Sequence, residues 1–210
     1  MWEASFMKLR ALCIALGLAF CSPAHAAYVI NVQQVGSNVV MTGSGSVNLS
    51  ALNLFGGGGV NPSFTQPRFG YALIGQSGVS NYWSGFTGPI SFGTMNPVYT
   101  PATSSTGVMV GIAAFENLLV LPSNYVSGAS LATNSSLFEN QTFSSMALQE
   151  GVYTWNWGAG AAADSFTVQI GQTAPAIPEP ATWAMMLLGF AFIGGAMRSH
   201  RWTKVNFRLA

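Results

Sequence analysis

Charge is what this chain has least of. Asp, Glu, Lys and Arg make up 6% of its 210 residues, against about 25% in an ordinary soluble domain. A highly charged disordered chain is therefore excluded. The formal net charge of +1 excludes the basic surface that holds phosphates, so no nucleic-acid partner is expected. Thiols and imidazoles are equally scarce. The cysteines are Cys13 and Cys21, and the histidines are His25 and His200. Residues 26–199 thus contain no thiol and no imidazole. That stretch has no disulfide, no cysteine nucleophile, no Ser-His-Asp triad and no zinc set of His and Cys. A domain of this size can build its core without disulfides.

What charge there is sits mainly at the ends. Lys8 and Arg10 lie near the start, Arg198, Arg201, Lys204 and Arg208 near the end, and only Arg68 between. Lys8 and Arg10 precede an uncharged apolar run over residues 11–20, and residues 21–26 end in the small Ala24 and Ala26. A positive region, an apolar run and A-x-A make a secretory signal peptide, here residues 1–26 with cleavage after Ala26. Ten residues rise only about 15 Å as a helix, too short to span a bilayer. A buried core helix is the competing reading.

Near the other end, Pro178-Glu179-Pro180 precedes residues 181–197, an uncharged apolar run. As a helix it is about 25 Å long, the short limit for a span. Arg198, Arg201, Lys204 and Arg208 follow, and basic residues hold such a flank in the cytoplasm. The expectation is a transmembrane helix over 181–197, a basic cytoplasmic tail over 198–210 and an extracytoplasmic body. Each proline fixes its own φ, and Pro180 pushes Glu179 out of the helical region. Residues 172–180 therefore read as a linker whose end is extended and stiff. An extended backbone with one acidic side chain is a shape that a processing enzyme can grip. A Pro-rich spacer before a plain anchor is the alternative.

The ordered set PEPATWAMMLLGFAFIGGAMRSHR, from Pro178 to Arg201, resembles the PEP-CTERM sorting signal of exopolysaccharide-producing Gram-negative bacteria. The resemblance implies recognition of Pro178, Glu179 and Pro180 by an exosortase, a multi-spanning membrane protease or transpeptidase. It also implies secretion across the inner membrane and transient anchoring there. Removal of the tail and delivery to the outer surface or extracellular matrix then follow. In the family a compact arginine cluster is common; here Ser199-His200 separate Arg198 from Arg201. Two further stretches, VLPSNYVSG (120–128) and GVYTWNWGAGAAADSFTVQIG (151–171), are similar to a region that recurs upstream of such signals. That likeness supports a boundary near Gly171 and implies no biochemical role.

The body, residues 27–171, reads as one β-rich domain. Residues 28–32, 39–42, 69–74, 107–112, 117–121, 152–157 and 165–170 are short apolar or alternating runs, the pattern of strands. Gly43-Ser44-Gly45, Asn61-Pro62, Asn96-Pro97 and Ser127-Gly128 read as turns. Gly56–Gly59 is expected to be a loop, because glycine is too free for a strand. Residues 96–107 are expected to be a second, longer loop. The fold class is all-β, a β-sandwich or jelly-roll-like body.

Tyr153, Trp155 and Trp157 are two apart, so a strand would put all three rings on one face. Exposed, they would stack on sugar rings. Buried, they would be core, which the more polar Val152, Thr154 and Asn156 on the other face favours. Tyr82 and Trp83 form a second possible patch. Glu116, Glu139, Glu150 and Asp164 are the body's acids and are expected to be solvated. No metal or cofactor is expected, and no enzyme activity. Three functions remain open: a non-catalytic structural or biofilm-matrix component, a carbohydrate-binding module anchored through residues 181–197, and a hydrolase using an unrecognised acid pair. The partners expected are the exosortase-type membrane protease, the membrane itself and an exopolysaccharide.

Overall fold

The structure is a computed structural model that describes residues 27–60 and 62–171, together with Phe190. The expected signal peptide with Ala24 and Ala26, the Pro178-Glu179-Pro180 triplet, the apolar run apart from Phe190, and the tail with Arg198, Arg201, Lys204 and Arg208 lie outside the described residues.

Among the described residues thirteen strands, numbered in chain order, form two sheets. The first has six, in the order β12 (Gly151–Trp157), β13 (Asp164–Ile170), β1 (Ala27–Val35), β2 (Asn38–Ser46), β11 (Ser130–Phe138) and β8 (Ser104–Thr106). The second has seven, in the order β3 (Asn53–Val60), β6 (Gly78–Ser84), β10 (Leu118–Pro122), β9 (Val110–Ala113), β5 (Tyr71–Ile74), β4 (Phe64–Gln66) and β7 (Thr100–Pro101). The body is a β-sandwich. Pairing is antiparallel except between β1 and β13, which run parallel from Ala27↔Ser165 to Val32↔Ile170. The last strand of the body therefore lies beside its first.

Alternation explains the layers. In β1, Tyr28, Ile30 and Val32 are fully buried and the residues between them are half-buried. In the facing sheet, Ala72, Ile74, Val110, Ile112, Leu119 and Leu121 close the same core. Each such side chain taken from water stabilises the fold by roughly 1.5–3 kcal/mol, alanine less. Rings fill the centre. Tyr28 stacks on Phe166 at 5.3 Å, and Trp155 meets Phe166 edge-on at 6.3 Å.

Three loop expectations are corrected. Gly43, Ser44 and Gly45 lie inside β2, not in a turn. Gly43 is needed there because a Cβ would come within 2.4 Å of Tyr28 Oη and 2.5 Å of Ile74 Cδ1. Gly56–Gly59 lie in β3, paired residue by residue from Gly56↔Tyr82 to Gly59↔Val79. Backbone pairing to β6 overrides the weak propensity of glycine. Residues 96–107 are not one loop, since they include β7 and β8. The amides between them are also engaged: Ala102 N donates to Ser63 O and Thr103 N to Leu137 O.

The glycines differ in what they do. Gly111 is buried between Leu73 and Val120 in register, and a Cβ there would lie 2.2 Å from Ala72 O. At Gly56 a Cβ would meet nothing within 4 Å. Gly111→Ala is expected to lower stability by roughly 1–3 kcal/mol, as overpacking does. Gly56→Ala is expected to be neutral or to raise stability by up to about 1 kcal/mol. Thermal unfolding of the two variants checks the contrast, and equal midpoints would refute it.

Candidate functional site

The ring stripe on β12 is core. Trp155 and Trp157 are 1% and 4% exposed. Their indole N–H groups are satisfied inside, Trp155 Nε1 donating to Pro89 O at 2.7 Å and Trp157 Nε1 to Asn48 O at 2.8 Å. Tyr153 is half-buried, donates to Gln149 O, and sets its ring 5.9 Å from Phe92. The sugar-stacking reading of Tyr153, Trp155 and Trp157 is corrected accordingly: a platform needs open ring faces, and these rings are spent on packing. Tyr82 and Trp83 do not form one patch either. As strand neighbours they point to opposite faces. Trp83 packs against the main core and Tyr82 against a smaller cluster on the other face.

Asp164 is not a solvated acid. It is 6% exposed and accepts from Asn48 N at 2.5 Å and from its neighbour Ser165 N at 2.7 Å. The segment it grips, residues 47–49, is the meeting point of both recurring stretches. Tyr125 Oη accepts from Val47 N at 2.7 Å, and Ser127 Oγ accepts from Leu49 N at 2.8 Å. Gly128 N donates to Val47 O at 2.9 Å. Trp157, Asp164, Tyr125, Ser127 and Gly128 thus converge on one crossover. Gly158 adds a turn with φ +69°, where a Cβ would sit 2.1 Å from Ala162 O. The Tyr-Val-Ser-Gly and Trp-x-Trp-Gly patterns therefore have a structural reading. They supply the capping groups of a partly buried polar clamp.

The other acids do not converge on one another in a metal set. Among the described residues no group of three or more His, Cys, Asp or Glu is placed to hold an ion. Glu139 and Glu150 are exposed, and Glu116 accepts the hydroxyl of Tyr71. Arg68 sets its guanidinium 5.3 Å from the Phe69 ring centroid.

Phe55 and Phe115 are the most exposed rings of the body, at 71% and 60%, and a further group of rings lies on the outer face of the seven-stranded sheet. Phe64, Tyr71 and Tyr82 are half-buried over Leu73, Met109 and Val120. Tyr99 is 55% exposed. Ring centroids are 5.5 Å apart for Phe64 and Tyr71, and 4.8 Å for Phe64 and Tyr99. Phe64, Tyr71 and Tyr99 come from separate segments, so no periodicity links them in the sequence.

Two grooves flank the turn at Gln76-Ser77. One, of about 640 Å³, is walled by residues 62–63, 75–77 and 102–105. The other, of about 390 Å³, is walled by residues 76–80, 107–109, Pro122 and Asn124. Among the described residues no charged side chain lines either. Under the first, three serine hydroxyls bond in a ring: Ser63 to Ser105 at 2.5 Å, Ser105 to Ser136 at 3.0 Å, and Ser136 to Ser63 at 3.0 Å. These hydroxyls satisfy one another, and the grooves can offer neutral hydrogen-bonding groups but no strong acid or base.

Residues 176–201 match the PEP-CTERM protein-sorting motif. The chain carries a PEP-CTERM sorting signal. The match spans Pro178, Glu179, Pro180, Arg198 and Arg201, while Lys204 and Arg208 fall beyond it. The motif implies export, an exosortase as processing partner, and membrane-associated sorting to the cell surface. No curated protein and no solved structure matches the chain. The functional residues of the PEP-CTERM signal are thus contiguous and legible. The body beside it displays its chemistry only after folding.

Burial pushes the phenols of Tyr28, Tyr71, Tyr125 and Tyr153 above their ordinary range. Tyr28 is the clearest case, fully buried with its hydroxyl on Asn134 Oδ1 at 3.2 Å. For Tyr71 burial is the largest cause, and the hydrogen bond and negative charge of Glu116 add to it. Tyr125 and Tyr153 are raised by burial as well. A folded pKa above the unfolded one means that the folded state keeps protons which the unfolded state releases. The contribution of these phenols is then fully present below about pH 10, the ordinary phenol value, and is lost as pH rises beyond it. Denaturant midpoints measured from pH 8 to 12 should be level and then decline, less steeply in Tyr28→Phe. A level profile to pH 12 would refute the assignment.

Proposed function

We propose that this chain is a non-catalytic structural component of the cell surface or extracellular matrix. In this reading it is delivered by its PEP-CTERM signal and freed from its tail by an exosortase. The observation that carries the reading is the motif at residues 176–201 behind a charge-poor β body. The makeup of the body supports it. Histidine and cysteine are absent from residues 27–177, and Asp164 is committed to backbone amides. Intact-mass measurement of the exported protein, with and without the sorting protease, tests it. Loss of residues 1–26 is expected in both strains. Loss of the segment following the Pro-Glu-Pro triplet is expected only where the protease is present. One unchanged mass retaining Trp183–Ala210 in both strains would overturn it.

A second reading, a carbohydrate-binding module anchored through residues 181–197, is favoured by one observation. Tyr99, more than half exposed, lies 4.8 Å from Phe64 on the outer sheet face. Under this reading sugar contacts fall there and not on β12. Ring contacts are worth about 0.5–1.5 kcal/mol beyond burial. Tyr99→Ala is then expected to weaken retention on the cell's own exopolysaccharide by roughly 3–10-fold. Unchanged retention would remove the reading.

A further inference from the structure

The four outer strands of the sandwich are not equally protected. β7 has two residues, one of them Pro101, which has no N–H. β8 has three. β12 has seven, but Thr87 lies against it: Thr87 N donates to Asn156 O and Asn156 N to Thr87 O, both at 2.9 Å. β3 is eight residues long and, among the described residues, pairs only with β6. Among the described residues no loop backbone bonds to residues 54–60. Natural edge strands are usually blunted by Lys, by Pro, by a bulge or by a covering loop. Asn53–Val60 contains no charged residue and no proline. Its register shift lies between Leu54 and Gly56, which bends one end and leaves Gly56–Val60 regular.

The glycines of this strand have little to do within one chain. At Gly56 and Gly59 a Cβ would meet nothing within 4 Å, and at Gly58 only an ordinary contact with Tyr82 Oη at 3.4 Å. None of the three needs a positive φ. Glycine weakens a strand and marks places where another backbone comes close. Only Gly57 is crowded by its own chain, with Asn81 Oδ1 at 2.7 Å.

We infer that β3 is a self-association edge, at which two copies of this chain pair β3 against β3, antiparallel about a two-fold axis. The complement of a bare backbone ladder is a second ladder at 4.7–4.9 Å spacing, and a two-fold pairing needs only one such strand per copy. Charge permits it. The acids that make the body negative are Glu116, Glu139, Glu150 and Asp164, and none lies in β3 or β6. Exposed Leu54 and Phe55 add apolar contact at one end. One strand edge falls short of the roughly 1,200 Å² of a stable interface, so the pair forms at high local concentration. This deepens the structural role proposed above and fails separately from it.

A covalent trap reads such a contact. In the full chain, Cys13→Ser and Cys21→Ser leave an introduced cysteine as the only thiol. Cysteine is placed singly at Leu54, Phe55, Gly56, Gly58 and Gly59, with Val126→Cys, 70% exposed on a loop, as control. Disulfide-linked dimer is measured on non-reducing gels, with protease resistance confirming folding. The expected result is a maximum at one β3 position, at least about 5-fold above the control, falling on either side as antiparallel pairing requires. Adding Gly56→Lys or Gly59→Lys, both sterically open, should return it to the control level. Cross-linking at all β3 positions equal to Val126→Cys would overturn the inference. A uniform excess along the strand would overturn its antiparallel form. Intact mass of the same samples reads sorting independently, so failure of either proposal is distinguishable.

Discussion

Between β2 and β3 the chain leaves one sheet for the other, and side chains from more than 70 residues away hold it at that point. Asp164 takes the amide of Asn48, Trp157 donates to the carbonyl of the same residue, and Tyr125 and Ser127 take the amides on either side. Val47 is buried and Asn48 and Leu49 are half-buried, and a backbone group left without a partner where water does not reach it costs about 1–3 kcal/mol. The chain has almost no charge with which to answer that demand. It uses a single buried carboxylate, and hydroxyl and indole groups for the rest. The same economy runs through the interior, where Tyr28 donates to Asn134, Asn134 donates to Val108 O, and three serines close a ring.

That constraint explains why some of the structure is legible in the sequence and some is not. Residues 28–32 and 152–157 alternate because their strands have one face on the core, and period-2 burial leaves its mark locally. The Pro-Glu-Pro triplet, apolar run and basic residues are legible for a related reason: a sorting signal is read as a contiguous segment, so its chemistry is contiguous too. Gly56–Gly59 misleads because intrinsic propensity speaks for a loop, while the residues that make it a strand, Val79–Tyr82, lie 20 or more positions from their partners. β11 hides for another reason. Its buried Leu131, Asn134, Ser136 and Phe138 include two polar side chains, whose partners are Tyr28, Val108, Ser63 and Ser105. A buried polar residue looks like a surface residue until those partners are known.

The aromatic residues show the same division. Spacing places Tyr153, Trp155 and Trp157 on one face, and it does not say whether another layer covers that face. Phe92, Phe166 and the Pro89 carbonyl cover it. Two rings at the surface, Tyr99 and its neighbour Phe64, are brought together by β4 and the approach to β7. No spacing rule predicts that meeting, because it depends on the order of strands in the sheet.

Burying the polar side chains to satisfy the interior decides what the exterior can offer. Asp164 is withdrawn, Glu116 is engaged by Tyr71, and Arg68 lies by a ring. What remains at the surface is largely neutral: the bare backbone of β3, the rings around Phe64, and grooves walled by hydroxyl and amide groups. Contacts made from such groups depend little on ionic strength, because there is no charge for salt to screen. Weak, salt-tolerant, repeatable contacts suit a protein that is concentrated at a surface by its sorting signal. The signal then provides the local concentration that a single strand edge or a few rings would need. A single strand edge buries too little surface to pair in dilute solution, so the pairing inferred for β3 rests on the concentration that sorting supplies.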